Sequence, residues 1–111
     1  MTLKRFLQSN CLVMLRTYNL SHYEVTFYPA LKDEDTAMEI EVDEKYLRAE
    51  ISYGKLVRMM WRQNKKRQIL QVLCHEVTHI FTEDIKGDNE AVTEHLSRLL
   101  FKLLWNLNTL K

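Results

Sequence analysis

The segment between Arg67 and Thr82 is apolar over most of its helical circumference. Projection at about 100° per residue divides its apolar side chains between two sides of one helix. One side carries Leu70, Cys74, Val77 and Phe81, and the other carries Ile69, Leu73 and Ile80. Because an all-round apolar helix must be covered by other elements, this segment predicts a buried central helix. The exception is a narrow polar strip formed by His75, Glu76 and His79.

Three segments before this helix alternate apolar and polar residues, a pattern that predicts half-buried β-strands. Their inward-facing residues are expected to be Tyr23, Val25 and Phe27, then Met38, Ile40 and Val42, then Leu47, Ala49, Ile51 and Tyr53. Pro29 is expected to close the first of these strands. Successive strands of this kind predict a small sheet with one wet face.

Helical periodicity occupies the remaining segments of the chain. The N-terminal helix is expected to bury Leu3, Leu7, Cys11, Met14 and Tyr18, and a helix after Gly54 to bury Leu56, Met59 and Met60. We expect Gly87 to end the central helix and Asp88 or Asn89 to cap the final one. The fold class is therefore predicted to be α+β, with an N-terminal helix, a small three-stranded sheet, the central helix and a C-terminal helix.

The final helix is predicted to run from Glu90 to Leu107. Its core stripe is expected to consist of Val92, Leu96, Leu99, Leu100, Leu103 and Leu107. Phe101 and Trp105 share the helical-wheel direction of Glu94 and are expected to belong to the core, packed against the first helix.

The length, net charge and cysteine content of the chain limit the classes of protein to which it can belong. A length of 111 residues indicates one domain, residues 1–111, and a net charge of +1 gives no general attraction to nucleic acid or membranes. The two cysteines, Cys11 and Cys74, are expected to be reduced and buried. With no membrane-spanning stretch and no signal-peptide cleavage site, a cytoplasmic protein is expected.

A basic cluster lies around the start of the central helix. It consists of Arg58, Arg62, Lys65, Lys66 and Arg67. A solvated helix face is the favoured interpretation, and a patch for an acidic partner is the alternative.

The polar strip of the central helix has the form HExxH, with His75, Glu76 and His79 at its fixed positions. Residues four apart project side by side on a helix, so the two imidazoles can occupy two ligand positions of one tetrahedral Zn²⁺. Glu76 is offset by one residue, which places it beside the metal as a general base. The pattern therefore predicts a zinc site on the central helix.

A third ligand must come from another element. Glu90 begins a new helix after a glycine-marked reversal, so its carboxylate can return to the two histidines. Glu94, one turn further on, can accept the free N–H of a ligand histidine and so orient its ring. His95 projects roughly 140° from Glu90 and is disfavoured as a ligand. His22 is expected at the surface.

The two segments HEVTH and NEAVTE together resemble the gluzincin metallopeptidase pattern, HExxH followed by NExxxD/E. This resemblance implies zinc ligation by His75, His79 and Glu90, general-base catalysis by Glu76, and orientation of a ligand histidine by Glu94. The element order is similar to minimal zincin-like domains, including ImmA/IrrE-type domains and small phage-encoded proteins. Larger gluzincins supply an oxyanion donor from a further domain, so here Tyr53 or a backbone amide is the candidate donor.

The expected function is that of a zinc-dependent metallopeptidase acting on a peptide or protein substrate. The substrate is expected to add to an edge strand, Leu47 to Tyr53, through backbone hydrogen bonds. The alternative is a zinc-binding regulatory or protein-interaction module without peptidase activity. Three ligands and one open position favour catalysis, because structural zinc sites usually have four protein ligands. A DNA-associated protease of SprT type would use a third histidine, which the NEAVTE segment disfavours.

Overall fold

The computed structural model describes residues 1–86 and 89–110 and has the α+β class that the sequence predicts. In chain order the elements are α1 (Leu3–Thr17), β1 (Glu24–Leu31), β2 (Met38–Asp43), β3 (Arg48–Gly54), α2 (Lys55–Arg62), α3 (Lys66–Lys86) and α4 (Glu90–Asn106). The expected end of the central helix at Gly87, and the cap at Asp88, lie outside the described residues. In the described part of the chain, no helix is long and apolar enough to cross a membrane.

The three strands form one mixed sheet with the order β1-β3-β2. β1 runs parallel to β3, and β2 runs antiparallel to it. The segment Leu47 to Tyr53 was expected to be an edge strand, and this is wrong because β3 lies in the centre of the sheet. Both of its backbone edges are used for pairing, so the sheet edges belong to β1 and β2.

Alternation along the strands predicts the buried face of the sheet correctly, apart from Leu47. Phe27, Met38 and Ile51 are buried in the core, with the partly buried Val25, Ile40 and Val42 packed against it. Leu47 is instead 39% exposed and has a φ of 54°, because it ends the turn between β2 and β3. A left-handed backbone position interrupts the strand alternation that would have turned its side chain inward.

Pro29 does not close the first strand, which continues to Leu31. The pairing of β1 with β3 shifts between Tyr28 and Leu31, where β1 contains one extra residue. A proline is tolerated at an edge strand or bulge because no ladder hydrogen bond is required from its nitrogen there.

α3 is the central helix of the domain, as its all-round apolar surface predicts. It has fully buried residues at Ile69, Leu73, Cys74, Val77 and Ile80. α1 packs on one flank, where the Tyr18 hydroxyl lies 2.8 Å from Thr78 Oγ1 and the Tyr18 ring stacks on Phe81. Thr78 also donates its hydroxyl hydrogen to the Cys74 carbonyl oxygen at 2.7 Å, so its buried polar atom is satisfied.

α4 covers another flank of α3, but not with the face that the sequence suggests. The expected core stripe is wrong for most of its members, since Val92, Leu99, Leu103 and Leu107 are exposed by 44–64%. The residues that α4 buries are Thr93, Ser97, Leu100, Phe101 and Leu104. Small polar side chains are tolerated there because they find partners: Thr93 Oγ1 lies 2.9 Å from Thr82 Oγ1, and Ser97 Oγ donates to the Glu94 carbonyl.

Two further burial predictions are wrong in part. Trp105 is 38% exposed, and both Trp105 and the buried Phe101 contact Arg67 of α3, the helix that α4 covers. In α2 Val57 is buried and Met60 is partly buried against the core, whereas Met59 is 43% exposed. A short helix at the rim of the core buries a single row of side chains, and spacing alone does not say which row.

Candidate metal centre

His75 and His79 lie one turn apart on the face of α3 that meets the start of α4. Their rings are 4.9 Å apart and nearly perpendicular, at 81°. Their side chains remain 21% and 11% exposed, respectively. The neighbouring Cys74 and Val77 are fully buried, so α3 is held in a fixed rotation about its axis. That rotation directs the polar strip away from the core.

Glu90 completes a group of three potential ligands. Asn89 caps α4, accepting hydrogen bonds from the backbone N–H groups of Ala91 and Val92, and this starts the helix at Glu90. Glu90 Oε1 lies 2.7 Å from His75 Nε2, and Glu90 Oε2 lies 3.4 Å from His79 Nε2. Of the two expected caps, Asp88 and Asn89, the structure therefore has Asn89.

The three side chains could hold a metal ion. One ligand atom from each residue lies within 4.8 Å of the other two. Around a tetrahedral ion with bonds of about 2.0 Å, neighbouring ligand atoms are about 3.3 Å apart, and the two nitrogen–oxygen distances of 2.7 and 3.4 Å lie on either side of this value. Within the part of the chain that the structure describes, the donor set is two imidazole nitrogens and one carboxylate, a combination that zinc accepts. The residues present therefore fit the ion that the sequence pattern implies.

Glu94 lies behind His75 and contacts the nitrogen that a metal would not use. Its Oε2 is 2.9 Å from His75 Nδ1, and its Oε1 accepts a hydrogen bond of 2.9 Å from Arg98 Nε. A carboxylate at Nδ1 fixes the tautomer and orientation of the ring, so that Nε2 is directed at Glu90. The structure thus brings Glu94 to the position that the sequence assigns to it.

Glu76 lies beside the histidines and is partly buried. Burial raises the pKa of its carboxyl to about 7, with further upward contributions from Glu90 and Glu39, while His79 and His75 act in the opposite direction. A carboxyl with a pKa near neutrality is suited to accept and return a proton. A cation held by the adjacent ligands would favour the ionised form.

Two cavities meet at Glu76. The larger, of about 850 Å³, is the α3–α4 groove, and it begins at His75, Glu76, Glu90 and Glu94. The smaller, of about 380 Å³, is the sheet cavity, and its lining includes Glu39, Glu41, Glu50, Ser52, Glu76 and His79. The ligand group is therefore accessible from two sides, which suits an elongated ligand that passes over it.

Other candidates from the sequence lie away from this centre. Tyr53 is 5% exposed within the core and lines neither of the two cavities, so the structure does not bring it to the ligand group. Cys74 is fully buried, with its thiol donating to the Ser97 carbonyl, and both cysteines are free thiols. His22 and His95 are exposed, as expected.

Several residues around the metal centre were not predicted from the sequence. The acidic lining of the sheet cavity comes from the wet face of β2 and β3, where Glu41 pairs with Glu50 and Glu39 pairs with Ser52. The alternation along the strands indicates that these residues face outward. Only the strand order shows that this face lies beside α3. On α4, Glu94 is followed at helical spacing by Arg98, Phe101 and Trp105, a signal that could have identified the groove.

Comparisons of the chain with protein-family models, with curated proteins and with solved structures found no match.

Proposed function

We propose that this protein is a zinc-dependent metallopeptidase of gluzincin type. The observation that carries the proposal is the convergence of His75, His79 and Glu90 beside Glu76, at the meeting point of two cavities. A structural zinc site would be expected to have four protein ligands, whereas the described residues supply three, which line two open cavities.

Each residue has a chemical task in this proposal. Zinc held by His75, His79 and Glu90 would supply Lewis-acid chemistry, which activates a water molecule and polarises a carbonyl group. Glu76 accepts a proton from the attacking water and returns it to the leaving amine. His75, His79 and Glu90 hold the ion, while Glu94 keeps the His75 ring in the orientation that exposes Nε2.

The edge of the sheet offers a place for the substrate backbone. β2 pairs with β3 on one side only within the described sheet, and Glu39, Ile40 and Glu41 line the sheet cavity together with His79. An extended peptide can add to such an edge through main-chain hydrogen bonds. We therefore propose that the substrate lies along the edge strand β2 and not along β3, which is the central strand.

The test compares metal content and cleavage in matched variants. The wild-type protein is expected to hold about one zinc per chain and to cleave members of a mixed peptide library. Glu76→Gln should retain zinc but lose about 10²–10⁴-fold in cleavage rate, the usual contribution of a general base. Glu44→Gln, which changes an exposed glutamate in the β2–β3 turn, is the control and should cleave normally. Equal cleavage by wild type and Glu76→Gln would rule out this mechanism.

One observation favours a second candidate, a zinc-binding regulatory or protein-interaction module. Tyr53, the side chain expected to stabilise an oxyanion, is buried in the core and lines neither cavity. An oxyanion donor typically contributes about 2.7–4 kcal/mol to catalysis. Wild-type protein that binds zinc but leaves the whole library intact would support this candidate.

A further inference from the structure

The α3–α4 groove extends well beyond the metal centre. Along α3 it follows His75 back to Arg67, and along α4 it follows Glu94 forward to Trp105. These stretches are about 12 Å and 16 Å long at 1.5 Å per helical residue. An extended peptide advances about 3.3 Å per residue, so the groove accommodates about four or five residues.

The charge of the groove changes along its length. Its carboxylates are Glu76, Glu90 and Glu94, all of which belong to the metal centre. Beyond them the described lining contains the cations Arg67, Arg98 and Lys102 and no carboxylate. Arg98 is already paired with Glu94, whereas Arg67 and Lys102 lie further along the groove and are exposed. The far half of the groove is therefore positively charged.

Aromatic side chains hold one of these cations in place. The guanidinium of Arg67 lies 5.8 Å from the Phe101 ring centre and 5.3 Å from that of Trp105. Stacking on aromatic faces restricts a long side chain while leaving the N–H edge of the guanidinium able to bind a carboxylate. Trp105, at 38% exposure, also offers an apolar contact for a bound segment.

The other side of the metal centre has the opposite charge. Glu39, Glu41 and Glu50 line the sheet cavity, and no lysine or arginine is among the described residues of its lining. A ligand that crosses the centre therefore meets negative charge near the sheet and positive charge in the far half of the groove. This polarity discriminates between the two ends of a charged peptide, because like-charge contacts are unfavourable.

We propose that the α3–α4 groove binds an acidic segment of the substrate chain, with its carboxylates on Arg67 and Lys102. The acidic residues lie about three to five positions from the bond that is cleaved, as the length of the groove requires. This substrate class rests on the proposed peptidase function, since that function supplies the bond from which the positions are counted.

The binding test uses zinc-loaded protein carrying Glu76→Gln, which prevents turnover, and Trp61→Phe, which leaves Trp105 as the fluorescent reporter. The probes are ten-residue peptides with blocked ends, built from Ala, Gly and Leu and carrying three consecutive Glu residues at one end. Matched peptides carry three Gln or three Lys residues there. The Glu peptide should bind at least tenfold more tightly than the Gln peptide, and the Lys peptide most weakly.

Variants separate groove binding from chelation of zinc by the peptide carboxylates. Lys102→Glu should abolish most of the preference for Glu, and Arg67→Gln should reduce it. Arg62→Glu reverses an exposed charge of α2 that does not line the groove, so it should leave the preference unchanged. Because Arg67 also packs on two aromatic rings, its variant is checked by thermal unfolding, and Lys102→Glu keeps the test decisive if that variant is unstable.

Each outcome decides between the two proposals. Equal binding of the Glu, Gln and Lys peptides, or a preference for Glu that survives Lys102→Glu, would overturn the groove proposal. Wild-type protein is then assayed for cleavage of the same peptides. Cleavage without acidic preference removes the groove proposal and keeps the peptidase. Acidic preference without cleavage of these peptides or of the mixed library supports the groove as a recognition site and removes the peptidase.

Discussion

The role of Glu94 gives the sharpest prediction, because its two oxygens have two different partners. Oε2 is 2.9 Å from His75 Nδ1, whereas Oε1 accepts from the Nε of Arg98, whose side chain is 76% exposed. Removing the carboxylate with Glu94→Ala leaves the His75 ring unsupported at Nδ1. Loss of such a partner typically weakens metal binding by about 10–100-fold, or about 1.4–2.7 kcal/mol.

Two related variants divide this effect between charge and geometry. Glu94→Gln keeps an oxygen that can accept a hydrogen bond from Nδ1 but removes the negative charge. We therefore expect zinc affinity to fall by about tenfold, the lower end of the range for loss of such a partner. Arg98→Ala removes the other partner of Glu94. Because exposed ion pairs contribute only about 0.2–1 kcal/mol, we expect a change of less than about fivefold in zinc affinity.

The assay is competition for zinc with a chromophoric chelator, with Glu90→Ala included as the loss of a direct ligand. The dissociation constant for zinc is expected to be highest for Glu90→Ala and to fall through Glu94→Ala and Glu94→Gln to Arg98→Ala and wild type. Wild-type affinity in Glu94→Ala, alongside a clear loss in Glu90→Ala, would refute the argument that Glu94 acts through His75. An equal loss in Arg98→Ala and Glu94→Ala would show that the surface ion pair matters as much as the histidine contact.

Three further predictions concern folding and are tested by chemical denaturation. Leu100→Ala should cost about 2–5 kcal/mol because Leu100 is buried, whereas Leu103→Ala, at 53% exposure, should cost less than about 0.5 kcal/mol; equal costs would contradict the observed rotation of α4. Asn89→Ala should cost about 1 kcal/mol through loss of the cap, while Asn89→Asp should cost little. Burial raises the pKa of the Cys11 thiol from 9.0 to about 12, so its contribution to stability is complete below pH 9.0 and is lost as the pH rises towards about 12. The wild-type stability should therefore fall by about 1.4 kcal/mol more per pH unit in that window than the stability of Cys11→Ala, and parallel pH profiles would contradict the assignment.

Sequence periodicity predicted burial best for residues that would be buried in any arrangement of their element. Ile69, Leu73 and Ile80 lie in a segment that is apolar all round, so every rotation of the helix buries them. Phe27, Ile51 and Met38 alternate with polar residues, and only one face of a strand could be buried. The helical run that follows likewise limited the cap of α4 to Asp88 or Asn89, and the structure has Asn89 in that position.

α4 shows why periodicity failed elsewhere. Its sequence has two apolar faces, one containing Leu99 and Leu103 and the other containing Leu100 and Leu104, and hydrophobicity alone favoured the wrong one. At about 100° per residue, Glu90 and Glu94 lie roughly 140–180° from the middle of the stripe that includes Leu99 and Leu103. Burying that stripe would have turned both glutamates away from His75. The metal pattern thus contained the rotational information that the apolar pattern lacked.

The sequence by itself determined the elements, the central position of α3 and the side-by-side placement of His75 and His79, because each of these follows from local spacing along one helix or strand. The tertiary structure decided the strand order, the rotation of α4 and the opposite charges of the two cavities. These depend on contacts between residues far apart in the chain, such as Glu41 with Glu50 and Arg67 with Trp105. Strand pairing and helix packing are set by the combined burial of all the elements, so no single segment specifies which of its faces meets the next.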